Sequence, residues 1–226
     1  MLRPLLAANT TVIFAQNGIP WWYFDAENSS NALTNEVGLS RTVGCVVHCP
    51  CRIVSPGVVR VESTIPRFIL GEPTGRLSPR LKYLQKQFSS TLNIEISENL
   101  RAVIWQKLCV NVPSSLLTTL TQSYLADVVV SPMLRATFLA LVAETRAVAA
   151  AYGCSLPDNG GAILESVVQS RHVPSMLQDL LANRPLETDA QLEKVQQLAH
   201  AANVAVPHID LLLPLLLQRS EATAHY

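Results

Sequence analysis

The sequence has 226 residues, of which 49% are hydrophobic and 15% are charged, and its formal net charge is zero. That length suffices for one large domain or two modest ones with a buried core, and neutrality gives no electrostatic footprint for nucleic acid or an anionic membrane. The apolar run IDLLLPLLLQ near the C-terminus is too short to span a bilayer, and the N-terminal residues make a poor signal peptide. We therefore expect a cytoplasmic protein with no nucleic-acid partner and no membrane partner.

The first hundred residues predict an α/β region. Short β-branched and apolar runs, separated by turn residues, predict strands at 11–15, 42–47, 58–62, 67–70 and 92–96. Between the last two of these strands, Ser78 and Pro79 begin a predicted helix as its N-cap and its first helical residue.

The first predicted strand is followed by Asn17-Gly18 and then by two of the three tryptophans, Trp21 and Trp22. In an α/β sheet the loop after a strand is where ligands bind, so one interpretation is a ligand-binding loop. The other is a hairpin turn whose tryptophans pack on a core. This segment alone does not decide between them.

Three of the five cysteines cluster around His48 in the segment GCVVHCPCR, which raises the question of a zinc site. Their spacing matches no common pattern of zinc ligands, and no second cluster lies elsewhere in the sequence. We therefore expect no metal site. Cys45 is expected to act as a small hydrophobic residue of a strand, and the remaining cysteines to be reduced thiols.

From about residue 100 onward the pattern is helical. Ser131-Pro132 begins a long predicted helix that ends at Gly153, residues 186–203 predict another, and residues 209–217 predict a short apolar one. The sequence has no internal repeat, and it contains neither the G-x-G-x-x-G nor the G-x-x-x-x-G-K-[ST] motif that binds phosphates. It therefore shows no recognisable phosphate-binding loop.

The predicted helix that begins near Glu98 carries the best chemical signal. Lys107, Asn111 and Ser115 recur every four residues and therefore share one face of the helix. Next to this polar line runs an apolar stripe of the same period, formed by Ile104, Leu108, Val112, Leu116 and Leu120. A lysine, an amide and a hydroxyl on one face suffice to hold and protonate a carbonyl-bearing anion, although an ordinary solvated face also explains them.

Six segments follow one another along almost the whole chain: TTVIFAQNGIPWW, RTVGCVVHCPCRIVSPGVVRV, FILGEPTG, IWQKLCVNVPSSLLTTLT, PSMLQDLLANRPLETDA and ANVAVPHID. Their order and spacing resemble the ketopantoate reductase (2-dehydropantoate 2-reductase) family of pantothenate biosynthesis. The resemblance implies the C-terminal half of a Rossmann NADP-binding domain over residues 1–97 and a 6-phosphogluconate-dehydrogenase-like helical domain over residues 98–226. It also implies NADPH-dependent reduction of 2-dehydropantoate, or of a related small-molecule 2-keto acid, in a cleft walled by the tryptophans.

The resemblance assigns roles to the polar line. The catalytic lysine of the family falls on Lys107, in the context Trp105-Gln106-Lys107-Leu108, and implies a general acid. A substrate-binding asparagine falls on Asn111. A second family asparagine, which is followed by proline, is replaced by Ser115 here, and the proline is displaced to Pro113. Ser115 is therefore a substrate-binding candidate at a position that departs from the family, which leaves the identity of the substrate open.

Three further candidates follow from the resemblance. Ser175, in the segment SMLQD, corresponds to a donor for the substrate carboxylate, although it also fits the N-cap of a helix. Glu187, in the segment LETD, corresponds to a residue that contacts cofactor and substrate, and Asn17 to a residue at the cofactor-facing end of a strand. These residues would orient NADPH at its nicotinamide end.

The sequence departs from the family most at its start. In the family, the QNG segment comes after two β-α-β units and the glycine-rich turn, whereas here it follows the first residues of the chain. We expect a chain truncated at an internal methionine; a split protein and a non-catalytic remnant are the alternatives. Two functions follow: an impaired NADPH-dependent reductase, or a helical association module that uses the apolar C-terminal helices, with a homodimer as one assembly.

Overall fold

The structure is a computed structural model that describes residues 2–24, 32–63, 65–169 and 172–224, with side chains as far as Ser220. The chain forms two compact units, one of Met1–Cys51 with Val61–Ile104 and one of Arg52–Arg60 with Trp105–Tyr226. The first unit combines a sheet with helices, and the second is helical apart from a β-hairpin. This confirms an α/β part followed by a helical part, while the predicted domain boundary between residues 97 and 98 stays a prediction.

The described residues contain β1 (Val12–Ala15), β2 (Thr42–His48), β3 (Cys51–Ser55), β4 (Val58–Val61), β5 (Arg67–Gly71) and β6 (Asn93–Ile96). Each of the five predicted strands is present, with ends shifted by no more than one residue. β3 was not predicted: it is exposed at all five residues, and only two of them are β-branched. β4 is equally exposed but was predicted from its three valines.

The first unit is built on a four-stranded sheet of order β1-β2-β5-β6. β1 pairs parallel with β2, β2 antiparallel with β5, and β5 parallel with β6. Because β1 runs parallel to its neighbour β2, the hairpin interpretation of Asn17-Gly18 is wrong. The sheet is mixed, so its assignment as half of a Rossmann domain stays a prediction.

Short helices connect these strands: 3-10 turns at Arg3–Leu5, Trp21–Phe24 and Leu39–Arg41, α1 (Ala32–Glu36) and α2 (Pro79–Phe88). α2 begins as the sequence predicts, with Pro79 in its first turn and the backbone N–H of Leu81 donating to Ser78 Oγ at 3.3 Å. One face of the sheet packs with α2 around Val43, Cys45, Leu70, Leu81 and Ile94. Cys45 is therefore a small core residue, as predicted.

Two glycines let large side chains approach the sheet. Gly44 of β2 lies directly opposite Gly71 of β5. A Cβ at Gly44 would lie 2.5 Å from Leu100 Cδ2 and closer still to the Trp22 ring, and a Cβ at Gly71 would lie 2.7 Å from Leu100 Cβ. Trp22, which is 2% exposed, is thus a core residue of this unit and not the wall of a cleft. Trp21 is partly exposed and packs edge-on against Phe14.

The remaining helices are α3 (Leu100–Thr121), α4 (Leu125–Val128), α5 (Pro132–Ala151), α6 (Gly160–Val168), α7 (Ser175–Leu181), α8 (Lys194–Ala201) and α9 (Pro207–Ala224). α5 is the predicted long helix: Ser131 Oγ accepts from the N–H of Leu134, and Gly153 has a φ of 76° just after the helix ends. The helix predicted over residues 186–203 is instead a π-helical turn, Asp189–Glu193, followed by the shorter α8. No helix of the described residues is long and apolar enough to cross a membrane.

Candidate functional site

Helix α3 positions the predicted polar line. Four residues of the apolar stripe are at most 5% exposed, namely Ile104, Leu108, Val112 and Leu116, and this buried stripe fixes the rotation of α3 about its axis. The polar line runs beside it: Lys107 and Asn111 are partly buried and Ser115 is only 5% exposed. A face that becomes buried along its length is not an ordinary solvated face. The helix continues through Pro113, although proline removes a backbone donor.

A hydrogen bond connects the polar line to a distant part of the same unit. The side-chain N–H of Asn111 donates from Nδ2 to Gln191 Oε1 at 3.0 Å. Gln191 is 3% exposed and lies in the π-helical turn before α8. Gln191 was not predicted from the sequence; the available signal was an amide side chain directly before Leu192, in a run of helical apolar spacing.

Side-chain and backbone bonds hold the π-helical turn. Thr188 is 5% exposed, and its hydroxyl donates to Glu193 Oε1 at 2.6 Å. The carbonyl of Thr188 accepts from the N–H of Leu192 at 2.8 Å and from the N–H of Glu193 at 3.2 Å. The second of these spans five residues, which is the bond of a π-helix. Such turns often occur at functional sites, and this one places Gln191 against Asn111.

The other two candidates of the second unit lie near helix starts. Ser175 is exposed and is the first residue of α7; Pro174 precedes the helix, and no side chain caps it. The N-cap interpretation of Ser175 is therefore wrong, which leaves its hydroxyl available for another role. Glu187 is exposed and lies two residues before the π-helical turn begins. The convergence of Lys107, Asn111 and Ser175 on one ligand stays a prediction.

Asn17 belongs to the first unit. It lies in the bend that follows β1, and it is partly buried. The adjacent Gly18 has a φ of 78°, a conformation that glycine adopts without strain, so the chain turns sharply at the carboxyl end of the strand. This is the edge of a sheet where ligands of α/β proteins bind, so Asn17 remains a candidate.

The first unit also contains a buried ionic cluster formed by Glu72, Ser78 and Arg80. Glu72 is 6% exposed and accepts from Ser78 Oγ and from Arg80, whose Nε lies 2.7 Å from Glu72 Oε1. Arg80 also donates to the carbonyls of Ser40 and Thr42. Burial by itself raises the pKa of Glu72, but the bonds from Arg80 and Ser78 outweigh it and hold that pKa below its usual value. All donors here serve the fold, so the cluster is structural.

A second buried carboxylate connects two helices. Glu144 of α5 is 8% exposed and accepts from the backbone N–H groups of His208 and Ile209, each at 3.0 Å. The Nδ1 atom of His208 also lies 2.6 Å from Glu144 Oε1. Glu144 therefore caps the first turn of α9 from another helix, where the dipole of α9 favours a negative charge.

Two of the cysteine thiols have raised pKa values. Burial raises the pKa of the Cys109 thiol to about 12, so it stays protonated at neutral pH. Burial and the neighbouring Cys51 raise the pKa of Cys49. In the part of the chain that the structure describes, no group of three His, Cys, Asp or Glu residues lies where it can hold a metal ion.

A cavity of about 280 Å³ lies in the second unit, lined among others by Gln106, Cys109, Arg146 and Asn159. Successive residues of an α-helix project about 100° apart, so Gln106 and Cys109 point to the side of α3 opposite to Lys107 and Asn111. This cavity therefore does not belong to the polar line.

Sequence comparison gives two kinds of match. Residues 99–220 match the family model described as Ketopantoate reductase PanE/ApbA C terminal. A 2-dehydropantoate 2-reductase from Mesorhizobium japonicum is 32% identical over 230 residues, which cover 95% of this chain and 70% of that protein. A 2-dehydropantoate 2-reductase from Mycobacterium tuberculosis strain H37Rv is 30% identical over 194 residues, covering 77% of this chain and 62% of that protein.

Comparison with solved structures also finds 2-dehydropantoate 2-reductases. The crystal structure of 2-dehydropantoate 2-reductase from Geobacter metallireducens GS-15 matches with a TM-score of 0.86 and 26% identity, covering 96% of this chain and 71% of that one. The fold alone is shared with D-mandelate dehydrogenase, solved with NADH and anilino(oxo)acetate, with a TM-score of 0.84 at 22% identity, over 98% of this chain and 71% of that one.

Proposed function

The chain belongs to the ketopantoate reductase family of oxidoreductases, and from that premise we propose that it takes part in the NADPH-dependent reduction of 2-dehydropantoate or a related 2-keto acid. The observation that carries the proposal is the polar line of α3, in which Lys107 and Asn111 share one face and Asn111 is held by the buried Gln191. This line falls inside the stretch that matches the family model.

Lys107 is the proposed general acid. When bound, NADPH supplies a hydride to the keto carbon, which leaves negative charge on the keto oxygen. The Lys107 ammonium donates a proton to that oxygen, so the product is a neutral hydroxyl. Its place on a long helix with a buried stripe supports this role, because such a helix holds the backbone of Lys107 in a fixed position.

Asn111, Ser115 and Ser175 are the proposed substrate contacts. An amide and a hydroxyl, four residues apart on the same helix, provide donors and acceptors along the polar line. Ser175 offers a hydroxyl to the substrate carboxylate, and its exposed position at the start of α7 without a capping bond is compatible with that role.

The residues of this chain fit only one end of the cofactor. Asn17, at the carboxyl end of β1, and the exposed Glu187 supply polar groups for the nicotinamide and its ribose. The sequence has no glycine-rich turn for the pyrophosphate. The chain also spans 70% and 62% of the two relatives described above, so we propose that NADPH binding needs the remainder of the family's sequence.

The test is a titration with NADPH, followed by fluorescence and then by turnover with ketopantoate. We compare the 226-residue chain with a chimera that adds the part of the Mesorhizobium relative that this chain does not span. Without the pyrophosphate site the chain loses several hydrogen bonds to charged oxygens, each worth about 1.5–3 kcal/mol. The chain alone should therefore bind NADPH weaker by at least about a thousandfold. We expect no measurable oxidation by the chain alone and steady oxidation by the chimera.

The outcomes separate the parts of the proposal. Micromolar NADPH binding and turnover by the chain alone would show that the cofactor is anchored elsewhere. Both forms are also assayed with benzoylformate, a bulkier aryl 2-keto acid. If neither form turns over either substrate, the proposal that the chain is part of a reductase is wrong. Turnover with benzoylformate alone would leave a reductase but change its substrate.

A second candidate function rests on α9. Leu211 and Leu215 are 63% and 53% exposed and lie four residues apart, on one face of that helix. Exposed apolar residues in such a row are typical of an association surface, so a homodimer formed through α9 is the alternative proposal. Light scattering tests it: Leu211→Lys with Leu215→Lys should give a monomer if the wild-type chain is a dimer through α9, and an unchanged mass would exclude this surface.

A further inference from the structure

We propose that Gln191 is a positioning residue that sets the orientation of the Asn111 carboxamide, and so decides which of its atoms face the substrate. The proposal rests on the proposed function, because it concerns the substrate contact Asn111. The bond between the two side chains joins positions 80 residues apart in sequence, across α3 and the π-helical turn.

In the structure the bond runs from Asn111 to Gln191. Asn111 donates from Nδ2, and Gln191 accepts at Oε1. If the Asn111 carboxamide turned over by itself, its oxygen would face the Gln191 oxygen, and two acceptors would repel each other at hydrogen-bond distance. Within the described residues the Asn111 carboxamide makes this hydrogen bond and no other. Its oxygen and its second N–H are therefore the groups that it can offer to a ligand.

Gln191 can impose this orientation because its side chain is buried. It is 3% exposed and is followed by Leu192, which is fully buried. Two hydrogen bonds between Thr188 and Glu193 close the turn around it. The Thr188 hydroxyl donates to the Glu193 carboxylate, and the Thr188 carbonyl accepts from the Glu193 N–H. A buried side chain has few alternative rotamers, so the Gln191 carboxamide stays against Asn111.

The π-helical turn gives Gln191 its direction. A backbone hydrogen bond between residues five positions apart encloses one more residue than the bond of an α-helix. The residues of the turn are therefore rotated by about 100° relative to the helix that follows. In a plain α-helix continuous with α8, residue 191 would project elsewhere. The turn that the sequence analysis took for ordinary helix is thus the feature that brings Gln191 to the polar line.

The experiment compares three variants. Gln191→Leu removes the acceptor and keeps a similar volume, and Gln191→Glu restores an acceptor oxygen. Gln196→Leu is the matched control, because Gln196 also makes one amide hydrogen bond, to Asp210 at 2.7 Å, but does not touch Asn111. The first readout is the side-chain amide signal of Asn111 in the ¹⁵N–¹H spectrum of the 226-residue chain, assigned by its loss in Asn111→Asp.

We expect Gln191→Leu to shift and broaden the Asn111 amide signal, while Gln196→Leu leaves it in place and Gln191→Glu keeps it sharp. The second readout is steady-state kinetics with ketopantoate in the form of the protein that oxidises NADPH. There Gln191→Leu should raise KM about five- to tenfold, the loss of one hydrogen bond, with kcat changed by less than about twofold. Gln196→Leu should stay within about twofold of the wild type in both constants.

The results distinguish the positioning role of Gln191 from the proposed role of Asn111 as a substrate contact. An Asn111 signal that does not respond to Gln191→Leu would overturn the positioning role, whatever the activity. A signal that responds, together with an Asn111→Ala variant whose KM is unchanged, would retain the bond but remove Asn111 from the substrate site. Equal effects of Gln191→Leu and Gln196→Leu on KM would mean that both act through stability alone, which also overturns the proposal.

Discussion

The two compact units use buried polar side chains in different ways. In the first unit, both oxygens of Glu72 are bonded by Arg80 and Ser78, and Arg80 uses its other N–H groups on the carbonyls of Ser40 and Thr42. In the second unit, Asn111 makes one of the four hydrogen bonds that a carboxamide can form, within the described residues. A cluster whose charged groups bond one another and the backbone stabilises a fold, whereas a fixed side chain with bonds to spare can bind a ligand.

The largest expected effect tests whether the cluster of Glu72 and Arg80 stabilises the fold. Arg80→Met should lower the free energy of unfolding by about 3–5 kcal/mol, because it leaves the carboxylate of Glu72 buried without its cation. The matched control is Arg67→Met, which breaks an ion pair with Glu95 whose side chains are 48% and 40% exposed. That change should cost about 1 kcal/mol or less. Urea unfolding measures both, and equal losses would contradict the assignment of Glu72 and Arg80 as a buried cluster.

The same cluster gives a dependence on pH. The folded pKa of Glu72 lies below its unfolded value, so its contribution is complete above the unfolded pKa of about 4.3 and is lost as pH falls through the folded value. Wild-type stability should therefore fall more steeply below about pH 4 than that of Glu72→Gln. Parallel curves for the two proteins would show that Glu72 does not titrate differently on folding.

The next effect tests the functional side. In the chimera described above, Lys107→Ala should lower kcat about a hundredfold or more, since the developing alkoxide loses its proton donor, while NADPH affinity stays nearly unchanged. It should cost little stability, in contrast to Arg80→Met. Lys82→Ala, at an exposed lysine of α2, is the control and should leave kcat as it is. Stopped-flow oxidation of NADPH with ketopantoate measures this, and equal losses of kcat and NADPH affinity would remove the general-acid role.

A smaller effect concerns the close packing of the sheet. Gly44→Ala places a methyl group against the Trp22 ring and 2.5 Å from Leu100 Cδ2. Overpacking of this kind should destabilise the protein by about 2 kcal/mol. Gly161→Ala is a suitable control, because a Cβ there meets no atom within 4 Å and lies in a helix, where alanine is favoured. A thermal melt in which both variants behave alike would show that Trp22 does not pack as tightly as described.

The smallest effect concerns the cap of α9. Glu144→Gln keeps one acceptor oxygen but loses the charge that faces the start of α9 and the ring of His208. We expect a loss of about 1 kcal/mol. Asp158→Asn, at a side chain that is 83% exposed, should cost less than about 0.5 kcal/mol. Urea unfolding measures both variants. If Glu144→Gln lowers the free energy of unfolding no more than Asp158→Asn does, the carboxylate charge contributes nothing to the cap.

Local signals in the sequence were sufficient for most of the elements. The β-branched run before Asn17 predicts β1, and Ser78-Pro79 and Ser131-Pro132 predict the starts of α2 and α5, because strand and cap preferences act over a few neighbouring residues. They failed at β3, where two β-branched residues lie between polar ones, and at the π-helical turn, which is defined by a backbone bond and not by a residue type.

The sequence by itself determined the α/β-then-helical order, the family, and the alignment of Lys107, Asn111 and Ser115 on one face, since four-residue spacing on a helix leaves no other arrangement. Only the tertiary structure decided that Trp22 is buried against Gly44, that β1 runs parallel to β2, and that Gln191 meets Asn111. The reason is the distance along the chain. A contact between residues 80 positions apart depends on how whole elements pack, and no local preference of either residue encodes it.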